Sequence, residues 1–307
     1  MRLKTSYSQL RPEVRLELAV LNSRLGALKL GRPHSLFLSL TRRCQLSCLH
    51  CRYRQAPYIS ARSKDMSASM VFRSLKEAAA AEIPRIVMFG GEPALYPGLS
   101  ETVKQASRLG LFAEMDTNAL LLDDQKLAEL AASGLSALRI SLHAAAPSDH
   151  NRTQNTDSFH KVENAVKLAL KRGFLVYLSS CLSAISAVED EVAKISDLGK
   201  RWGVHEIRFL GYVPPRKASR DIHKKISSCI RKSGLDKYTH SCFTGPGGGI
   251  CPAQRGEIIF ISPEGLIHSC PYAVKAFGRI GETPLTSSSY TRERSGQDPR
   301  RLPCSAS

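Results

Sequence analysis

Three cysteines, Cys44, Cys48 and Cys51, stand in a C-x3-C-x2-C pattern. Thiols this close are metal ligands more readily than disulfide partners in a chain without secretory features, and the total of nine cysteines is odd. Three ligands do not close a structural zinc site, which takes four. With His50 as the fourth, the loop reads as a zinc site. An iron–sulfur cubane normally takes one cysteine per iron, so three cysteines leave one iron open to a small molecule.

Other stretches carry chemistry of their own. Met88-Phe-Gly-Gly-Glu-Pro93 closes an apolar run, and Gly and Pro are common in strand-ending turns. Thr117-Asn118-Ala119 and Arg139-Ile-Ser-Leu-His143 close two more. Arg152 reads either as a solvent-facing charge or as a planar fork for a carboxylate. Cys181 reads as a core thiol, and Cys229 as structural. Far downstream, Cys251, Gly265 and Cys270 form C-x13-G-x4-C, with Cys242 before them and Cys304 near the end.

These residues need elements to position them. Apolar runs predict strands over Leu36–Leu40, Arg85–Phe89, Leu111–Met115, Ala137–Leu142, Leu175–Ser180 and Glu206–Leu210. Amphipathic stretches predict helices near Ala68–Ala81, Leu99–Leu109, Asp124–Ala132, Phe159–Arg172 and Glu189–Trp202. Gly110, Gly134, Gly173 and Gly203 close several of them. Alternating strands and helices predict parallel βα units, and so an α/β fold: a partial (βα)6 barrel of the TIM type, with its site at the carboxyl ends of the strands. Residues 213–286 follow as a separate small Cys-rich unit. It opens on a helix reaching about Ser233 and holds a β-hairpin from Glu257–Ile261 and Leu266–Ser269. Residues 1–34 read as a helical segment, with apolar spacing from Pro12 to Leu30. The barrel spans 35–212, and 287–307 is a basic tail.

The cysteine spacing, its place after the first strand and the ring of His50 before the last cysteine resemble the radical S-adenosylmethionine (SAM) superfamily. The resemblance implies a 4Fe–4S cluster on Cys44, Cys48 and Cys51, whose open iron is chelated by SAM. An electron from the cluster then cleaves SAM to a 5′-deoxyadenosyl radical, which abstracts hydrogen from substrate. By the same resemblance, Gly90 and Gly91 let the backbone approach the methionine moiety and Glu92 holds its amino group. Asn118 donates hydrogen bonds in the site, Ser141 contacts the ribose and Arg152 pairs with the methionine carboxylate. Two positions depart from the pattern. Ala119 stands where relatives have Gly, which makes a positive φ costlier there, and His143 replaces an Asp.

The C-x13-G-x4-C stretch is similar to the opening of the SPASM/twitch extension. The dense later cysteine run of a full SPASM domain is absent, so the resemblance implies a twitch-like form with one auxiliary 4Fe–4S cluster on Cys242, Cys251 and Cys270. The fourth ligand is either Cys304 or a non-protein ligand. The implied reaction is hydrogen abstraction from a peptide or small natural product, with the auxiliary cluster aiding oxidation or bond formation. Two alternatives are a tRNA- or nucleotide-modifying enzyme and a molybdenum-cofactor-cyclase-like enzyme. The short region before the first strand counts against a leader-peptide domain. Cys304-Ser-Ala-Ser307, in place of paired glycines, counts against the cyclase.

Composition bounds these readings. The chain of 307 residues is 42% hydrophobic and 23% charged, which excludes wholesale disorder. It has no apolar run of about 18 residues and no signal-like N-terminus, so a cytoplasmic protein without a membrane association is expected. The net charge of +17 is concentrated at the ends: residues 1–60 carry 11 basic and two acidic groups, and residues 211–307 carry 15 and seven. Nucleic acid is one reading of that charge, but no stacking platform or RNA-binding motif accompanies it. Arg42, Arg43, Arg52 and Arg54 bracket the cysteine loop. They read instead as cations that favour cluster reduction and steer an acidic electron donor such as flavodoxin or ferredoxin.

Overall fold

A computed structural model describes Val14 and residues 33–51, 65–182, 188–211, 220–234, 239–241, 253, 256–271, 273 and 275–285. The expected N-terminal helix and the tail from 287 lie outside these residues, Val14 apart.

Six strands alternate with helices as the apolar runs require: β1 (Ser35–Thr41), β2 (Arg85–Gly90), β3 (Phe112–Thr117), β4 (Ala137–Ser141), β5 (Leu175–Leu182) and β6 (Glu206–Gly211). Each pairs in parallel with the next. The helices between them are α1 (Ala68–Ala80), α2 (Leu99–Arg108), α3 (Asp124–Ser133), α4 (Pro147–Gln154), α5 (Phe159–Lys171) and α6 (Val188–Trp202), and α7 (Arg220–Lys232) follows. Local chemistry sets their ends. Ser67 accepts from the Met70 N–H at the start of α1, Asp123 accepts from the Lys126 N–H at the start of α3, and Gly134 closes α3 at φ 98°.

α4 is missing from the sequence expectation because it lacks an apolar stripe. Its buried residues are His150 and Gln154. The strands β7 (Thr239–Ser241) and β10 (Gly278–Arg279) were likewise too short to show as apolar runs.

The predicted hairpin forms from β8 (Ile258–Ile261) and β9 (Leu266–His268), paired antiparallel. β8 also pairs in parallel with β1, Ser35 facing Ile258 through Leu38 facing Ile261. The hairpin therefore extends the main sheet, whose order is β10-β9-β8-β1-β2-β3-β4-β5-β6-β7.

The alternation within β1 separates two environments. Leu36, Leu38 and Leu40 are fully buried in the core that includes Val71 and Leu75 of α1. Ser35 and Phe37 belong to the other face, where Ser35 accepts from Arg85 and Phe37 packs edge-on against Phe89. Phe89 in turn meets Phe260 of β8, one strand beyond β1. Arg208 of β6 reaches Asp116 of β3 across two intervening strands. Side chains on strands that do not adjoin touch in this way only if the sheet curls around them, as a partial barrel does.

Candidate functional site

The cysteine loop leaves the end of β1 and is seated on the end of β2. Gly91 N–H donates to Thr41 O at 2.8 Å and Glu92 N–H to Arg43 O at 2.7 Å. A Cβ on Gly90 would lie 2.2 Å from Thr41 O, and one on Gly91 would lie 2.2 Å from Arg43 O. The close approach these glycines permit is thus between β2 and the cysteine loop. All three cysteines are half-buried. The Cys48–Cys51 segment is a turn closed by Cys51 N–H to Cys48 O at 3.2 Å.

Glu92 is 1% exposed and its carboxylate is engaged by the chain. It accepts from Thr117 Oγ1 at 2.7 Å, Asn118 N–H at 2.8 Å and Ala94 N–H at 3.1 Å. Burial pushes its carboxyl above the usual range, against the pull of those donors. Asn118 turns its side chain to the loop. Its Nδ2 lies 3.8 Å from Cys44 Sγ, and its Oδ1 accepts from Gln45 Nε2 at 3.0 Å. Leu46 N–H also points at Cys44 Sγ, at 3.5 Å. Ala119 adopts φ 66°, so the conformation that favours Gly is kept without one. The Thr117 hydroxyl accepts its N–H and Asn118 Oδ1 accepts that of Leu120, which holds the turn.

Across the barrel mouth, α4 braces the same loop. Leu49 N–H donates to Thr153 O at 3.2 Å and Asn155 Nδ2 to Ser47 Oγ at 3.2 Å. Three imidazoles stand in a row here. His50 meets His143 edge-on at 4.2 Å between centroids, and His143 stacks on His150 at 5.9 Å. Burial lowers the pKa of His50 to about 4 and that of His150 to about 4, the latter with a further push from His50. Burial, with both neighbouring imidazoles, holds His143 well below its ordinary value. Ser141 is half-buried at the end of β4. Arg152 is 75% exposed and pairs with Asp149 at 2.7 Å.

Below the mouth, the barrel interior holds a charge network. Glu114 receives Arg139 Nε at 2.9 Å and Arg85 Nη1 at 3.2 Å. Arg139 also reaches Glu206 at 3.1 Å, and lies over the Tyr177 ring at 4.7 Å. Arg208 Nη2 bonds Asp116 at 3.2 Å and Ser179 Oγ at 3.2 Å. Burial raises the Glu114 carboxyl, but Arg139 and Arg85 outweigh it and hold it low. Asp116 moves the other way: burial raises it, and Arg208 offsets only part of that. The sequence reading missed this network. Its signal was Glu114 and Asp116 alternating with apolar residues in Phe112-Ala-Glu-Met-Asp-Thr117.

The residues present fit a cluster by donor chemistry: three thiols on one loop, with N–H groups directed at Cys44. Among the described residues, no three Cys, His, Asp or Glu side chains converge tightly enough to hold a metal ion. Arg42 and Arg43 are paired, with Glu264 at 2.5 Å and Asp65 at 2.7 Å, and Arg52 and Arg54 lie outside the described residues. Of the downstream cysteines, Cys270 is buried beside Ala253 and Ala273. Cys242, Cys251 and Cys304 lie outside the described residues. Cys181 is half-buried and Cys229 buried.

Residues 38–187 match the family described as the Radical SAM superfamily. GTP 3',8-cyclase of Clostridium acetobutylicum is 30% identical over 240 residues, covering 74% of this chain and 72% of that protein. The chain belongs to the radical SAM superfamily. Radical SAM proteins are enzymes that use a 4Fe–4S cluster and SAM, and this chain is one of them. Human Molybdenum cofactor biosynthesis protein 1 is 28% identical over 187 residues, 60% of this chain. The chain spans 29% of that relative's length. Among solved structures, Streptococcus suis SuiB bound to precursor peptide SuiA shares the fold, with TM-score 0.67 and 16% identity over 91% of this chain and 70% of that one. SuiB is also seen bound to S-adenosylmethionine. Among the described residues, no helix is long and apolar enough to cross a membrane.

Proposed function

We propose that this radical SAM enzyme abstracts hydrogen from a peptide or small natural product, with Cys44, Cys48 and Cys51 holding the cluster. When bound and reduced, that cluster would supply the electron that splits the sulfonium of SAM into methionine and a 5′-deoxyadenosyl radical able to take a hydrogen atom from substrate. The observation that carries this reading is the seating of the cysteine loop on Gly90-Gly91-Glu92 at the carboxyl end of a parallel barrel. Asn118 donates toward Cys44. Gly90 and Gly91 shape the SAM pocket, and Ser141 meets the ribose. Glu92 has an acceptor position left for the SAM amino group, and Arg152 binds the carboxylate once it is released from Asp149. Electrons come from an acidic donor such as flavodoxin or ferredoxin, in the cytoplasm. A twitch-like unit with Cys242, Cys251 and Cys270, and either Cys304 or a non-protein ligand, holds an auxiliary 4Fe–4S cluster.

The likeness to GTP 3',8-cyclase favours a second reading, action on a nucleotide. The interior speaks for the first. Among the described residues, Arg85, Arg139 and Arg208 are each paired there with Glu114, Asp116 or Glu206, pairing that a triphosphate would have to displace. Deuterated candidate substrates test the choice. Deuterium from a peptide or natural product should appear in 5′-deoxyadenosine, whereas transfer from GTP alone would establish the nucleotide reading. Anaerobic iron analysis should give about eight iron per chain. About four would remove the auxiliary cluster.

A further inference from the structure

His143 stands where the family resemblance leads one to expect an aspartate, and the exchange reverses the hydrogen-bonding sense of the position. A carboxylate only accepts. The imidazole of His143 has its Nδ1 already committed, accepting from the Cys181 N–H of β5 at 3.3 Å. A neutral ring that accepts at Nδ1 carries its proton on Nε2. The His143 backbone N–H donates to His150 Nδ1 at 3.2 Å, which fixes the end of β4 against α4. The ring is held on two sides, edge-on by His50 at 4.2 Å and stacked by His150 at 5.9 Å. Its rotation and tautomer are therefore both set by the fold. No partner among the described residues engages Nε2.

The place of this donor suggests its ligand. His50, which touches the ring, lies between Cys48 and Cys51, so the His143 imidazole borders the loop that carries the cluster thiols. Burial and the neighbouring imidazoles keep His143 uncharged. A neutral donor flanked by imidazole rings suits a flat, acceptor-rich group, and it offers no acceptor to an ammonium. Of the two halves of SAM, the adenosyl group fits that description, whereas the methionyl ammonium, itself a donor, finds no acceptor on this edge.

We propose that His143 is a SAM-binding residue whose Nε2–H donates to an acceptor nitrogen or oxygen of the adenosyl group. The proposal rests on the radical SAM chemistry of the chain, but not on the identity of its substrate.

Two isosteric variants separate this role from a purely structural one. In His143→Asn, the amide oxygen can replace Nδ1 toward Cys181, but nothing replaces the Nε2 donor. In His143→Gln, the amide nitrogen can replace Nε2. Equilibrium binding of SAM to the anaerobically reconstituted protein should weaken about 10-fold in His143→Asn, as for one lost hydrogen bond. It should stay within about three-fold of the parent in His143→Gln, with iron content equal in both. The KM for SAM should rise in His143→Asn while kcat at saturating SAM is kept. Parental affinity in His143→Asn would overturn the proposal. If the variants do not retain iron, the unaltered holoenzyme decides with SAM analogues that each lack one acceptor: 1-deaza, 3-deaza, 7-deaza, 2′-deoxy and 3′-deoxy. One of them should bind about 10-fold more weakly than SAM, and equal affinity for all five would refute the proposal. Loss of SAM cleavage with SAM binding intact would instead count against the electron-transfer reading of the chain and leave the His143 contact standing.

Discussion

At Gly91, one methyl group decides whether the cysteine loop can seat. A Cβ there meets two backbone oxygens, Arg43 O at 2.2 Å and Arg42 O at 2.7 Å, and backbone yields far less easily than a side chain. Gly91→Ala should therefore cost about 3 kcal/mol or more, read as a lowered urea midpoint. Gly173 is the contrasting site, where a Cβ meets nothing within 4 Å and only the φ of 82° opposes it. Gly173→Ala should cost about 1–2 kcal/mol, and equal losses at the two sites would contradict the seating. The imidazole row adds a pH effect. His150 is neutral in the fold, with its pKa lowered from 6.5 to about 4, while the unfolded chain takes up its proton near 6.5. Its contribution is thus complete above pH 6.5 and is lost as the pH falls toward 4, by up to about 3 kcal/mol. His150→Asn, which keeps an acceptor for the His143 N–H, should flatten the stability profile between pH 6.5 and 4. An unchanged slope would show that the row does not carry it.

At the scale of elements, the loop depends on α4, and α4 depends on Asn151. Asn151 Oδ1 accepts from the N–H groups of Ser158 at 3.0 Å and Phe159 at 2.9 Å, tying α4 to the start of α5. Asn151→Ala should cost about 1–2 kcal/mol in urea unfolding, and no loss would mean that the junction is held elsewhere. This helix also marks the limit of what the sequence discloses. The six parallel strands were legible because apolar runs such as Leu111–Met115 are bounded by Gly and separated by amphipathic stretches. α4 was not, since its polar residues form no stripe and its buried residues are the polar His150 and Gln154. The hairpin was legible from its Ser-Pro-Glu-Gly turn, but its pairing with β1 joins residues more than 200 positions apart and leaves no local trace. The cysteine loop and Gly-Gly-Glu were legible as motifs. That the glycines serve the contact between β2 and the loop was not, because that role depends on where Thr41 and Arg43 lie.

For the whole molecule, the curled sheet encloses charge that must balance. Glu114 is 1% exposed and answers both Arg85 and Arg139. Glu114→Ala removes the buried carboxylate shared by Arg85 and Arg139, leaving Arg139 with Glu206, and should cost about 3–5 kcal/mol. A loss under about 1 kcal/mol would show that the interior is wet and that the pairs are dispensable. This enclosure, with the cysteine loop at its mouth, is what a radical reaction requires, because water must be kept from the reactive species. The most direct test is formation of 5′-deoxyadenosine by the anaerobically reconstituted, reduced protein supplied with SAM. The protein should produce it, and the joint replacement of Cys44, Cys48 and Cys51 by Ala should abolish both its formation and the iron bound by this loop. Continued cleavage of SAM in the triple variant would contradict the assignment.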